Sequence, residues 1–237
     1  MVRPLWIGYF GSSPATVDEQ QPLLQSLALW MFFVRERFVY DRAMSAVTAF
    51  VLAGGHSSRM GTDKAFVELE GQPLLIRMLA LASAVAAEVC IVGSKSKFGA
   101  HGHVIEDEFP NHGPLGGIHA ALASSGNDLN LILAVDMPFI EVRFLQHLLR
   151  EAAVKENATI TLARAEGNWQ PLCAVYRRSF LRVANDALRQ GKNKIDPLFS
   201  KVELRIIDEG ELIEQSFTPS MFRNLNTPEE LQQASKT

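Results

Sequence analysis

The chain has 237 residues, enough to bury a full core and near the upper end of what one α/β domain occupies. Its 23 Lys and Arg stand against 26 Asp and Glu, which leaves no global field to gather nucleic acid or an anionic membrane and points to a small-molecule partner. No run reaches the roughly 18–20 continuous apolar residues of a membrane helix, and Asp18, Glu19, Gln20 and Gln21 fall where a secretory signal would stay apolar, so a cytoplasmic protein is expected.

Residues 1–43 differ in character from the rest of the chain. Pro4, Gly8, Gly11, Ser12, Ser13 and Pro14 punctuate them, and an apolar run over 27–34 leads into Arg35, Glu36 and Arg37. Met44 stands just before the first convincing strand, so 1–43 is expected to be a dispensable extension or an over-called start, with one catalytic domain over 44–237. From there strands are predicted at 48–52, 88–93, 103–105, 129–135, 158–163, 172–176 and 202–207. Helices are predicted at 73–86, with Pro73 in the first turn, and at 115–125, 141–155, 179–190 and 228–234. Alternating strands and helices imply an α/β fold, a single Rossmann-like three-layer domain with a mostly parallel sheet. The unalternating run Leu131-Ile132-Leu133-Ala134-Val135 suits a parallel strand buried on both faces. Cys90 and Cys173 lie far apart and outside any CxxC spacing, so both read as buried apolar residues in a reducing compartment. His101 and His103 lack further ligands at metal spacing.

Ligands of open parallel sheets bind beyond the carboxyl ends of the strands. Beyond the first predicted strand the chain reads Leu52-Ala53-Gly54-Gly55-His56-Ser57-Ser58-Arg59-Met60-Gly61-Thr62-Asp63-Lys64. Two adjacent glycines let the backbone approach a ligand and turn successive amides toward an anion, while Arg59 and Lys64 supply the charge a polyphosphate needs. The spacing is neither a Walker loop nor a G-x-G-x-x-G fingerprint. A solvated Gly-rich turn is the bland alternative. Asp136 ends the run 131–135, and Pro138 stops the ladder, which leaves a carboxylate at a strand end where it could hold magnesium or cap the next helix.

The thirteen-residue string resembles the signature of the molybdenum cofactor nucleotidyltransferases, a branch of the nucleotide-diphospho-sugar transferase superfamily: LAGG or LAAG, then S-x-R-M-G-x-D-K. In that family the LAGG form goes with guanine nucleotides, so Gly55 implies GTP and the guanylyltransferase branch. Asp136-Met137-Pro138-Phe139 matches its D-x-P-[FY] motif, whose Asp binds magnesium, and Gly113-Pro114-Leu115-Gly116-Gly117 matches its G-P-L-[AG]-G string. The resemblance implies a nucleotide contact at Asp107 and another at Gly93, where the family commonly has Asn and only backbone could serve here. It associates Asn224 and Asn226 with the pterin end of the site, turn chemistry being their plainer use. The match runs from about Thr48 to Leu231 and includes Gln170-Pro171-Leu172 and Tyr176-Arg177-Arg178.

The activity implied is transfer of GMP from GTP to the phosphate of molybdenum-molybdopterin. The catalytic residues would be Lys64, Arg59 and Asp136, with Asp136 on the metal and the backbone of Leu52, Ala53 and Gly54 on the nucleotide. Gly113 would contribute a helix amino terminus with close backbone approach. His56 and His119 neighbour the same loops. Transient contact with cofactor-synthesis and acceptor proteins is implied as well. A cytidylyltransferase on the same pterin, a sugar-phosphate nucleotidyltransferase and a noncatalytic nucleotide sensor are the rivals.

Overall fold

A computed structural model of the chain describes residues 47–54, 63–109, 112–225 and 230. The expected extension 1–43, and the expected helix 228–234 apart from Glu230, lie outside the described residues.

Seven strands form one sheet in the order β5 (His103–Ile105), β4 (Glu88–Val92), β1 (Val47–Leu52), β6 (Leu129–Ala134), β8 (Asn168–Arg177), β7 (Ile160–Ala165) and β9 (Leu204–Ile207). All pairings are parallel except those made by β8, which runs antiparallel to β6 and β7. The mostly parallel sheet expected from sequence is therefore present. Every residue of β1 and of β6 is buried, as unalternating strands covered on both faces must be. A two-stranded hairpin, β2 (Glu68–Leu69) with β3 (Gln72–Pro73), stands apart from the main sheet.

The two faces of β1 feed two cores. Val47, Ala49 and Val51 pack with Leu75 and Met78 of α1 (Leu74–Ser83) and with Phe144 and Leu148 of α4 (Val142–Val154). Phe50 and Leu52 pack with Leu115 and Ile118 of α3 (Gly113–Ser124) and with Phe180 and Ala184 of α5 (Phe180–Arg189). At about 1.5–3 kcal/mol for each large apolar side chain removed from water, these two layers are what hold the helices on the sheet. In α3 every residue from Leu115 to Leu122 is buried, which explains its lack of a polar stripe. Two short helices, α2 (Lys95–Phe98) and α6 (Glu209–Glu214), are not predicted by the sequence pattern.

Chain order sets the position of the ligand crevice. From β1 the chain passes through α1 on one face to β4, whereas from β5 it returns through α3 on the other face to β6. The connections thus diverge around β1, and an open sheet of this kind has its ligand crevice at the carboxyl ends of the strands flanking that point, here β1 and β6.

Candidate functional site

At the end of β1 the ladder continues two residues past the strand. The amides of Ala53 and Gly54 both donate to the Val92 carbonyl, at 2.9 and 3.1 Å, and the Leu52 carbonyl accepts from Val135 at 3.1 Å. The Gly54 amide is thus committed to the sheet and is not turned toward an anion, which corrects the expectation for that group. Gly55, His56 and Arg59 lie outside the described residues.

Where the chain is described again, Asp63 caps a 3-10 turn over Lys64–Phe66: its Oδ1 accepts from the Ala65 amide at 3.2 Å, and its Oδ2 meets Lys97 Nζ at 2.9 Å. Held at the start of this turn, Lys64 reaches Asp136, with Nζ 2.9 Å from Oδ2. Both side chains keep about a fifth of their surface in solvent, 23% and 19%, so the pair stands at the ends of the strands and is not sealed in the core. Asp136 follows β6 as predicted. It does not cap the next helix, because Glu141 occupies the cap position of α4.

The segment that carries Asn224 comes to the same place. The Leu225 amide donates to the Asp136 carbonyl at 2.9 Å, Leu225 is buried, and the Arg223 guanidinium lies 4.7 Å from the Phe139 ring centroid. Two ties therefore fix 223–225 against the Asp136–Phe139 loop and leave Asn224 exposed beside it. Asn226 lies outside the described residues. Sequence reasoning missed Arg223; its only signal is that it precedes the two asparagines.

Gly93 lies against Gly54, and its amide donates to the Ile105 carbonyl at 3.0 Å. A Cβ at Gly93 would fall 2.8 Å from the Phe98 ring, so Phe98 fills the space that an Asn side chain would need. Asp107 follows β5. Its Oδ1 accepts from the Phe109 amide at 2.7 Å, and its carboxylate packs on Gly116, where a Cβ would lie 2.5 Å from Oδ2. Burial raises the Asp107 pKa above the ordinary carboxylate value, against the opposing effects of the Phe109 amide, His119 and His112 and with a further push from Glu108. His119 is buried edge-on to Phe109, with ring centroids 4.9 Å apart.

The remaining glycines of this string have distinct uses. Gly113 takes the left-handed conformation, φ +62°, at the start of α3, which a side chain would strain. Gly117 faces the end of β1 and β4, where an added Cβ would meet a Leu52 methyl at 3.4 Å and a Val92 methyl at 3.6 Å, ordinary packing distances. Leu52, Ala53, Gly54, Gly93, Lys64, Asp107, Gly113, Asp136 and Asn224 thus all lie at or just beyond the carboxyl ends of four adjacent parallel strands or in segments tied to them. Cys90 and Cys173 are buried, as expected; burial, and then Glu88, push the Cys90 thiol up to about 11.

The arrangement brings together a lysine, a carboxylate at a strand end, ordered backbone and a helix amino terminus. Residues 49–203 match the family described as the MobA-like NTP transferase domain. A molybdenum cofactor guanylyltransferase of Desulfosudis oleivorans is 33% identical over 196 residues, which cover 81% of this chain and 95% of that one. A probable molybdenum cofactor guanylyltransferase of Peptoclostridium acidaminophilum is 33% identical over 200 residues, covering 80% and 88%. The crystal structure of molybdopterin-guanine dinucleotide biosynthesis protein A from Archaeoglobus fulgidus superposes with a TM-score of 0.69 at 26% identity, over 80% of this chain and 97% of that one. On sequence and on fold alike, the chain belongs to the MobA-like NTP transferase family.

Proposed function

We propose that this protein is a cytoplasmic guanylyltransferase that transfers GMP from GTP to the terminal phosphate of molybdenum-molybdopterin and releases pyrophosphate. The observation that carries the reading is the Lys64–Asp136 pair at the mouth of the crevice, in a chain whose relatives bear that activity by name. An oxygen of the pterin phosphate attacks the α-phosphorus of GTP, the bond to the bridging oxygen breaks, and pyrophosphate leaves with the electron pair. Both reactants are anions, so catalysis here consists of positioning and charge stabilisation.

Lys64 and Asp136 suit that task because each satisfies the other before substrate arrives. A lone charge in a partly desolvated wall would be costly, and pairing removes that cost. When a triphosphate enters, Lys64 would turn to its oxygens and leave the Asp136 carboxylate to hold a cation. One carboxylate plus phosphate oxygens and water is a donor set that fits magnesium, which keeps few protein ligands. Asp136 would hold that ion, whose contribution is to neutralise charge on the phosphates. Arg59 would add a second positive charge against the departing pyrophosphate. Asp107, Gly93 and the backbone of 52–54 would hold the nucleoside end, and Gly113 opens a helix whose amino terminus would favour an anion. Asn224 and Asn226 would serve the pterin side of this scheme, and transient docking to the proteins that supply the pterin and accept the product would follow from it.

The test is pyrophosphate release from each of the four NTPs with magnesium, with and without molybdenum-loaded molybdopterin. Release from GTP that depends on the pterin is expected. Preference for CTP moves the protein to the cytidylyltransferase reading, and tight GTP binding without turnover makes it a nucleotide sensor.

A further inference from the structure

Among the described residues, two groups of His, Cys and acidic side chains place three donor atoms within 4.8 Å of one another. The first comprises His147, Glu151 and Glu211, and a cation already serves it. The Arg205 guanidinium bonds Glu151 at 2.9 Å and both oxygens of Glu211 at 2.7 Å, while His147 Nε2 meets Glu211 at 2.9 Å. The second comprises Glu88, Cys90 and His103, on the α3 side of the sheet in β4 and β5.

We propose that Glu88, Cys90 and His103 form a binding site for a zinc-type divalent cation, separate from the nucleotide crevice. The register builds it. Glu88 and Cys90 are two apart on β4 and so point to one face, and Cys90 pairs directly with His103 on β5. Cys90 Sγ lies 3.7 Å from His103 Nδ1. A tetrahedral zinc bound at about 2.3 Å from sulfur and about 2.0–2.1 Å from nitrogen sets those two donors about 3.6 Å apart. The carboxylate is oriented from behind: the Thr48 hydroxyl donates to Glu88 Oε2 at 3.0 Å, and Asn127 Nδ2 donates to the Thr48 oxygen at 3.0 Å. Such outer hydrogen bonds are the usual support of metal ligands. Cys90 is buried while Glu88 and His103 are exposed, so the cation enters from solvent and rests on the sulfur, with a fourth position left for water.

Thiolate with imidazole selects zinc over magnesium, so the two cations do not compete for one site. Binding releases the thiol proton to solvent and bridges β4 to β5, an edge strand of three residues. That strand runs directly into Asp107. No local spacing in the sequence reveals the site, because its ligands meet across adjacent strands.

The test uses the full chain stripped with a chelator and titrated with cobalt(II) as an optical probe. The chain has two cysteines, and Cys173 is wholly buried, so a thiolate-to-cobalt charge-transfer band reports Cys90. The expected result is one equivalent of cobalt that gives this band, displaced by zinc and not by magnesium, with a higher unfolding midpoint in zinc. Cys90→Ala should abolish the band, His103→Gln should weaken binding at least about tenfold, and Thr48→Val should weaken it by about ten- to a hundredfold. Absence of the band at saturating cobalt in the unaltered chain overturns the proposal. So does unchanged affinity in His103→Gln, which alters an exposed side chain.

Discussion

Two charged clusters in this domain differ in size and in where they stand. Lys64 and Asp136 form one pair, 72 residues apart in sequence, at the end of two parallel strands. Arg205 instead sits among Glu151, Glu211 and, through Glu211, His147, where each carboxylate is matched and the guanidinium also donates to its neighbour's carbonyl at Ile206. On the proposed function, the first exchanges partners when a phosphate arrives. The second is closed, and it joins α4, β9 and α6. On the proposed function the pair belongs to the chemistry, whereas the network ties secondary-structure elements together.

Asp136→Asn would break this contrast most visibly if it kept its turnover. We expect loss of about a hundredfold or more in the initial rate of pyrophosphate release. A urea midpoint close to that of the parent is expected alongside it, since a partly exposed pair contributes only about 0–1 kcal/mol. Glu211→Gln should do the reverse. Weakening charged hydrogen bonds to Arg205 and His147 should cost about 1.5–3 kcal/mol in denaturant unfolding, with turnover at 25 °C unaltered. Gly116→Ala sharpens the contrast from a third position. The new methyl would displace the Asp107 carboxylate, and kcat/KM for GTP should fall about tenfold, equivalent to about 1.4 kcal/mol, while KM for the pterin stays the same.

The smallest effect is a pH dependence. Burial holds the Asp107 pKa above its unfolded value, so the native state binds the extra proton and stability declines as pH rises from the ordinary carboxylate range through the raised value. Asp107→Asn should flatten that decline in urea midpoints measured across the mildly acidic range. A decline of the same size in the variant would assign it to other groups.

Most strands are legible in the sequence because their runs are apolar on both faces, and Asp136 is legible because a proline soon interrupts the ladder beyond it. The direction of β8 is not, since a run buried on both sides carries no mark of parallel or antiparallel pairing. The sequence pattern predicts separate strands at 158–163 and 172–176, whereas β7 and β8 form a hairpin with Ala165 opposite Asn168. Its two turn residues, Glu166 and Gly167, both have positive φ, at 51° and 73°. The same Glu-Gly pair turns β2 into β3 at Glu70 and Gly71. Asn-Gly or Asp-Gly would announce such turns, and Glu does not. At the site, the glycine string is recognisable but its division of labour is hidden: nothing in Gly116 itself says that Asp107 leans on it. The amide of Gly54 departs from expectation because pairing to Val92 outlasts the apolar run.

The bond from the Leu225 amide to the Asp136 carbonyl bears on how the protein is born. A ribosome extends the chain from its amino terminus at about 5–20 residues per second, so β1 and β6 can pair well before Leu225 exists. Asp136 is therefore made 89 residues ahead of Leu225, whose amide steadies it. A nascent or truncated chain ending before 223–225 would own the central sheet without a braced Asp136, and on the proposed function activity waits for that segment to be made.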